Sequence, residues 1–251
     1  MSAWIINIGD EILTGRIFNW NAYWIAKRLT SVGVNVRRII CIPDDIDIIT
    51  ETIREGVREG VDYIFTTGGL GPTPGDVTLE GISIALGLQL ELNEKALSYI
   101  KNRYTELYEL GLVKDPEITK ARKKMACIPS GAEVIYNDVG VAPAVIVESK
   151  KTKIIALPGV PSEAMYLLEK IIPKLMASEG LVVMEDIIDV CDESSISNIL
   201  EYIRSRHPNV NIKTYPLGFG QKYMRVIAIG RSREGVENAL NEFKNMLRRL
   251  P

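Results

Sequence analysis

The sequence predicts an α/β fold: a three-layer domain with a mostly parallel sheet, followed by a smaller C-terminal α+β domain. In the first two-thirds of the chain, short apolar runs alternate with amphipathic helical patterns. Right-handed crossovers between such runs favour a parallel sheet that helices cover on both faces. Further along, the pattern changes to β, α, β, β, α. We therefore predict one domain over residues 1–176 and a second over 177–251.

The first half of the large domain alternates strand and helix in order. The run AWIINIG predicts a strand, and a helix follows from Asn19 to about Gly33 with apolar residues at i, i+3, i+4 and i+7. VNVRRIICI predicts the second strand, and Asp45 to Gly60 the next helix. VDYIFTT predicts the third strand, and a helix with Leu79, Ile82 and Leu86 on one face follows it.

The remaining elements complete both domains. Residues 93–125 are charged and helical in pattern, and AEVIYN, PAVIVES and TKIIALPG predict three strands, the last two joined as a hairpin at KK. A helix from Pro161 to about Met176 and a joint at ASEG end the domain. VVMEDIIDVC, VNIKTYPLG and YMRVIAIG predict the strands of the small domain, with helices at SISNILEYIRSRH and GVENALNEFKNMLRRL.

Composition excludes several classes of function. The 251 residues carry a net charge of −2, so no basic surplus indicates nucleic-acid binding. No segment reaches the roughly 18 apolar residues of a membrane span, and we expect a cytoplasmic protein without a membrane partner. Three scattered cysteines predict buried free thiols. A single histidine, His207, cannot form a histidine-based zinc site, so proton or metal chemistry falls to carboxylates.

Acidic residues follow several strands of the predicted sheet. Asp10 and Glu11 follow the first strand, Asp44 and Asp45 the second, and Glu163 in LPGVPSE a later one. Ligands of open α/β sheets bind outside the carboxyl ends of the strands, where such loops converge. We therefore expect these acids to lie along one edge of the sheet.

The stretch TTGGLGPTPGDVT follows the third strand at the same edge. Gly68, Gly69 and Gly71 let an anion approach the backbone amides, and a helix that begins near Thr73 to Asp76 would add its positive end. The stretch contains no lysine and matches no standard nucleotide-binding pattern. A Mg²⁺ ion held by one or two carboxylates and phosphate oxygens would then supply the countercharge.

The same residues also have an interpretation in which their role is only structural. A glycine-rich turn with an aspartate cap is often only a turn, and the Asp44-Asp45 pair is also typical of a helix cap. Trp4 and Trp24 are predicted to pack in the core, whereas Trp20 lies in a loop beside the proposed crevice, where it could stack on a base.

Five ordered motifs resemble those of the competence-damage-inducible CinA family, whose N-terminal domain is related to molybdopterin-binding domains of molybdenum-cofactor biosynthesis. They are IGDEILTG, NWNAYWIAKRL, TTGGLGPTPGDVT, IPSGAEVIYNDVGVAPA and ALPGVPSEAM. The resemblance implies a domain that binds a nucleotide or a phosphorylated pterin, and assembly as a homo-oligomer. In CinA-like members it implies a pyrophosphatase for ADP-ribose or a similar dinucleotide, dependent on Mg²⁺, Mn²⁺ or Co²⁺. We do not expect the amidohydrolase activity of longer members.

The resemblance also implies site residues and departures from the family pattern. Phosphate- or nucleotide-binding positions carried over by motif are Gly9, Gly68, Gly69, Gly71, Thr73, Asn137, Gly140, Pro143, Gly159 and Pro161. Asn19 and Gly75 stand where the family pattern has aspartates, and Ala144 replaces a glycine. These replacements bear on the number of metal ions and on activity itself.

The leading hypothesis is metal-dependent hydrolysis of a nucleotide pyrophosphate bond. We assign Asp44, Asp76 and Glu163 to metal binding, and Asp76, Asp10 and Glu11 to catalysis, with Glu11 as a candidate base. Two alternatives stay open. One is adenylyl transfer to molybdopterin, and the other is a non-catalytic protein that binds a nucleotide or pterin.

Overall fold

The computed structural model describes residues 1–175, 182–190, 193–217 and 222–248. The chain divides into two compact units, one comprising Met1–Leu29 and Asn35–Ala177, the other Thr30–Val34 and Ser178–Pro251. The predicted joint at residues 177–180 and the predicted domain boundary before it lie outside the described residues.

The strands of the first unit form one large and one small sheet. They are β1 (Ser2–Ile8), β2 (Asn35–Ile42), β3 (Tyr63–Thr67), β4 (Leu90–Leu92), β5 (Cys127–Pro129), β6 (Glu133–Ile135), β7 (Ala144–Ser149) and β8 (Thr152–Leu157). The large sheet has the order β2-β1-β3-β8-β7-β6. β2, β1, β3 and β8 run parallel, whereas β7 and β6 pair antiparallel, so the mostly parallel sheet and the β7–β8 hairpin are confirmed. The antiparallel β4–β5 pair was not predicted.

The helices of the first unit follow the predicted order, with short additions. They are α1 (Asp10–Leu13), α2 (Trp20–Ser31), α3 (Ile46–Arg58), α4 (Thr78–Leu86), α5 (Glu94–Glu109), α6 (Lys120–Lys124) and α7 (Pro161–Leu175). α3 begins where it does because the Asp45 carboxylate accepts hydrogen bonds from the backbone N–H groups of Asp47 and Ile48. Asp45 is therefore a helix cap, one of the structural readings that the sequence left open.

Helices cover both faces of the large sheet. Alternate residues of β1, such as Trp4 and Ile6, are fully buried in a cluster with Ile49 of α3 and Ile82 of α4. The side chains between them point to the opposite face because successive residues of a strand alternate. α2 and α7 lie side by side, joined by the ion pair between Arg28 Nε and Glu169 Oε1 at 2.6 Å. The result is the predicted three-layer arrangement.

The second unit is a small α+β layer. β9 (Val182–Asp189), β10 (Val210–Pro216) and β11 (Tyr223–Gly230) form an antiparallel sheet in the order β10-β11-β9. α8 (Ser197–Arg206) and α9 (Arg233–Leu247) share one apolar core with these strands, with Ile203, Val226 and Phe243 fully buried. The predicted order β, α, β, β, α is confirmed.

Two sequence expectations about burial meet different outcomes. Trp4 is in the core, as predicted. The prediction of a buried thiol is wrong for Cys41, which is exposed because β2 is an edge strand of the large sheet. Cys127 is half-buried, both thiols are free, and Cys191 lies outside the described residues. None of the helices in the described part of the chain combines the length and the apolar character that a membrane crossing needs.

Candidate functional site

A cavity of about 860 Å³ opens at the carboxyl ends of the parallel strands. Four strand ends contribute to it: Glu11 follows β1, Asp44 follows β2, most residues between Gly68 and Asp76 follow β3, and most between Pro158 and Glu163 follow β8. A cavity of this size is within the range that binds small molecules and cofactors. The structure therefore brings most of the predicted site residues together at one edge of the sheet.

The glycine stretch is held tightly against the ends of its neighbouring strands. Gly68 has a φ of +98°, and a Cβ atom there would lie 2.1 Å from the carbonyl oxygen of Ile8 in β1. Its N–H donates to the carbonyl of Leu157 in β8 at 3.1 Å, and its carbonyl accepts from Thr78 Oγ1 at 2.8 Å. At Gly159 a Cβ atom would be 3.4 Å from Gly68 Cα. At Gly68 only bare backbone fits, and Gly159 packs directly against it.

Asp76 closes the glycine stretch on itself. Its Oδ2 accepts hydrogen bonds from the backbone N–H of Thr73 at 2.7 Å and from Thr73 Oγ1 at 2.6 Å. The prediction that the next helix begins near Thr73 to Asp76 is wrong, because α4 begins at Thr78. The cause is this separate turn, in which the N–H of Asp76 also donates to the Thr73 carbonyl at 3.1 Å.

Glu11, Asp44 and Asp76 line an acidic end of the cavity, and Asp10 lies beside Asp44 outside the lining. The backbone N–H of Asp10 donates to Asp44 Oδ2 at 3.3 Å. Burial raises the pKa of Asp44 above its ordinary value, and the neighbouring carboxylates Glu11, Asp10 and Asp76 raise it further, against the hydrogen bond from Asp10. Within the described ranges, no Lys, Arg or His nitrogen lies within 4.0 Å of these four carboxylates.

Glu163 lines the cavity in different surroundings. Its Oε2 accepts from Asn137 Nδ2 at 2.5 Å, and a Cβ atom on Gly140 would lie 2.0 Å from the same oxygen. Burial raises the pKa of Glu163, while the Asn137 hydrogen bond and the charge of Arg103 oppose the rise. Among the described residues, no three Asp, Glu, His or Cys side chains are close enough to hold one metal ion. Asp44, Asp76 and Glu163 are therefore not brought together as a three-carboxylate group.

Asn137 organises the loop that carries Gly140. It is fully buried, and its Oδ1 accepts from the backbone N–H of Val139 at 3.3 Å and of Gly140 at 3.0 Å. Its Nδ2 donates to the carbonyl of Ala142 at 2.9 Å as well as to Glu163. Since these groups satisfy both ends of the amide, Asn137 supports the cavity wall instead of facing a ligand.

The other predicted binding residues divide between the lining and its support. Gly69, Gly71, Thr73, Gly140, Gly159 and Pro161 line the cavity. Gly9, Asp10, Asn137 and Pro143 are not among the described lining residues. Gly9 has a supporting position, because its N–H donates to the carbonyl of Ile42 at the end of β2 at 3.1 Å.

Two basic residues at this site were missed by sequence reasoning. Lys124 Nζ donates to the carbonyl of Thr73 in the glycine stretch at 2.6 Å. Arg103 Nε donates to the carbonyl of Gly140 at 2.9 Å. The run KARKK over residues 120–124 was a visible signal, but no spacing in the sequence connects it with a loop 51 residues earlier.

Comparison with known proteins agrees with the arrangement. Residues 4–177 match the model of a family described as a probable molybdopterin binding domain. A protein of Pyrococcus furiosus is 39% identical over 98% of this chain and 96% of its own length. A protein of Aeropyrum pernix is 39% identical over 92% of this chain and 85% of its own length. A crystal structure of CinA of unknown function from Thermoplasma acidophilum is 38% identical, with a TM-score of 0.64, over 70% of this chain and 98% of that one.

Proposed function

Because this chain belongs to the probable molybdopterin-binding domain family and to the CinA family, we propose that its cavity binds a nucleotide and hydrolyses a pyrophosphate bond in it. The substrate class is a dinucleotide such as ADP-ribose, which contains this bond, whereas a phosphorylated pterin is the ligand of the alternative functions. The observation that carries the proposal is the meeting of a bare glycine backbone with three carboxylates at one cavity, none of which has a described Lys, Arg or His nitrogen within 4.0 Å.

Phosphate binding falls to the glycine stretch. Gly69 and Gly71 line the cavity without a side chain between the backbone and a ligand, whereas the N–H of Gly68 is already bonded to the Leu157 carbonyl. Lys124 holds its ammonium group at the Thr73 carbonyl, and an ammonium has three N–H donors. Since one donor is used there, the others are available for a phosphate oxygen at the same rim. The lysine that the glycine stretch lacks is thus supplied from α6.

The acidic end has the donor set for a divalent cation. Asp44 and Asp76 are oxygen donors in a group of acidic side chains, and no described basic nitrogen lies within 4.0 Å of either carboxylate. Mg²⁺ is usually held by one or two carboxylates together with phosphate oxygens, so the absence of a third grouped acid does not conflict with it. A cation held there would neutralise phosphate charge and activate water. Glu11, which lines the cavity beside these acids, would accept the proton of the attacking water.

The direct test is to incubate the folded protein with ADP-ribose and Mg²⁺, Mn²⁺ or Co²⁺ and to follow AMP release. We expect turnover that requires the metal and that falls by at least about 100-fold in Asp44→Asn, the range seen when one preorganised electrostatic group is lost. Gly75→Asp adds the acid of the family pattern, and a Cβ atom there meets only Thr73 Oγ1 at 3.9 Å, so the fold tolerates it. A rise in its activity would indicate a weakened ancestral site.

Other outcomes would replace this proposal. Release of diphosphate that needs ATP and a pterin, without hydrolysis of ADP-ribose, would establish adenylyl transfer. Saturable binding without turnover for any metal would indicate a binding protein, which the replacements at Asn19 and Gly75 favour. The proposed homo-oligomer is tested separately by analytical ultracentrifugation.

A further inference from the structure

Three large aromatic side chains are exposed next to the cavity. Phe18 is 69% exposed, Trp20 57% and Tyr23 54%. The ring centroids of Phe18 and Trp20 are 4.9 Å apart at an interplanar angle of 62°, and those of Trp20 and Tyr23 are 6.2 Å apart. Phe18 and Trp20 line the cavity, whereas Tyr23 does not. Such exposure leaves a large apolar area in water, so a partner that covers these rings would gain free energy.

The backbone that carries these rings is anchored. Asn19 Oδ1 accepts from the N–H of Ala22 at 3.0 Å, and Asn19 Nδ2 donates to Cys41 Sγ at 3.3 Å. Asn21 Nδ2 donates to the carbonyl of Gly159 at 2.8 Å, 138 residues along the chain. These bonds join the start of α2 to the end of β2 and to the loop after β8. The backbone that carries Phe18 and Trp20 is therefore held at the edge of the cavity before a ligand arrives.

We propose that Trp20, with Phe18 beside it, binds the flat heterocyclic ring of a ligand whose phosphate lies at the glycine stretch. This inference rests on the proposed function and names the part of the ligand that the cavity distinguishes. Trp20 and Gly68 to Gly71 line the same cavity of about 860 Å³, so one molecule of nucleotide size reaches both. Aromatic side chains stack on any flat ring, so the subsite takes a purine or a pterin alike. A phosphorylated sugar that lacks a flat heterocyclic ring gains no affinity from this subsite.

The experiment compares two probes that differ only in the ring. Dissociation constants of AMP and of ribose 5-phosphate are measured by calorimetry for the wild type, Trp20→Ala and Tyr23→Ala. We expect Trp20→Ala to weaken AMP binding by roughly tenfold or more, as for loss of one stacked base, and to leave ribose 5-phosphate unchanged. Tyr23→Ala is the matched control because Tyr23 is equally exposed in the same cluster but does not line the cavity. It should leave both constants unchanged.

Fluorescence provides an independent reading of the same contact. AMP should quench the tryptophan emission of the wild type, and the quenching should disappear in Trp20→Phe, which keeps an aromatic ring and most of the affinity. Trp4 is fully buried and Trp24 half-buried, so they serve as internal references in that variant. Repeating the titration with a phosphorylated pterin shows which ring the subsite prefers.

Several results would overturn the inference. Equal loss of AMP and ribose 5-phosphate binding in Trp20→Ala, or the same loss in Tyr23→Ala, would show that Trp20 does not bind the heterocyclic ring of the ligand. If Trp20→Ala dissociated an oligomer in sedimentation while AMP affinity stayed constant, the rings would be an interface with a second copy. If the wild type bound ribose 5-phosphate as tightly as AMP, the ring-binding subsite would be refuted, but the proposed function would not be. Binding of neither probe would refute the proposed function as well.

Discussion

Replacement of Gly68 by alanine tests the close packing on which the site is built. The new Cβ atom would lie 2.1 Å from the Ile8 carbonyl oxygen, more than an ångström inside ordinary contact, and that oxygen belongs to a buried central strand. We expect the displacement to cost about 1–3 kcal/mol and the left-handed backbone about 1–2 kcal/mol more. For a domain of this size the sum lowers the melting temperature by roughly 5–20 °C.

The assay is thermal unfolding followed by circular dichroism, with Gly15→Ala measured beside it. Gly15 has a φ of +69° and no atom within 4 Å of the position of a Cβ, so its substitution carries the backbone term without the collision. Gly68→Ala should therefore unfold at a clearly lower temperature than Gly15→Ala, and should also weaken AMP binding because the glycine stretch moves. Equal melting temperatures for the two variants would refute the reasoning.

Three further predictions concern Glu163, which lines the cavity, and two residues that contact lining residues. Lys124→Ala should weaken ribose 5-phosphate binding by about tenfold, since hydrogen bonds to charged groups contribute roughly 1.5–3 kcal/mol. The control Lys123→Ala changes an exposed lysine of the same helix and should leave the affinity unchanged. Both affinities are measured by calorimetry, and equal effects of the two variants would count against a role of Lys124 in phosphate binding. Asn137→Ala should lower the free energy of urea unfolding by about 2–4 kcal/mol because the Ala142 carbonyl and the Glu163 carboxylate lose the amide that donates to them. Burial raises the pKa of Glu163 above 4.5, so the folded chain binds that proton more tightly than the unfolded chain does. The protein therefore loses stability as the pH rises from 4.5 through the raised pKa. Glu163→Gln should remove this dependence, and an unchanged pH dependence of the free energy of urea unfolding in that variant would contradict the prediction.

Much of the fold follows from properties that are local in the chain. The apolar spacing of Ile49 and Ile53 predicts α3 because one face of a helix must be buried, and the alternation of apolar runs with such helices predicts a parallel sheet. The edge that carries Asp44 and the glycine stretch was predictable for a related reason. The carboxyl ends of parallel strands meet there whatever the detailed packing. The roles of these residues stay predictions.

The sequence by itself thus determined the order of the main helices and strands, the mostly parallel sheet and the sheet edge at which the acids and glycines gather. Only the tertiary structure decided that Lys124 reaches Thr73, that Glu163 lies with Asn137 apart from the acids around Asp44, and that α4 begins after Asp76. Periodicity and turn chemistry act over a few residues, whereas these contacts depend on how distant segments pack. A hydrogen bond between residues 51 positions apart leaves no spacing in the chain from which it can be read.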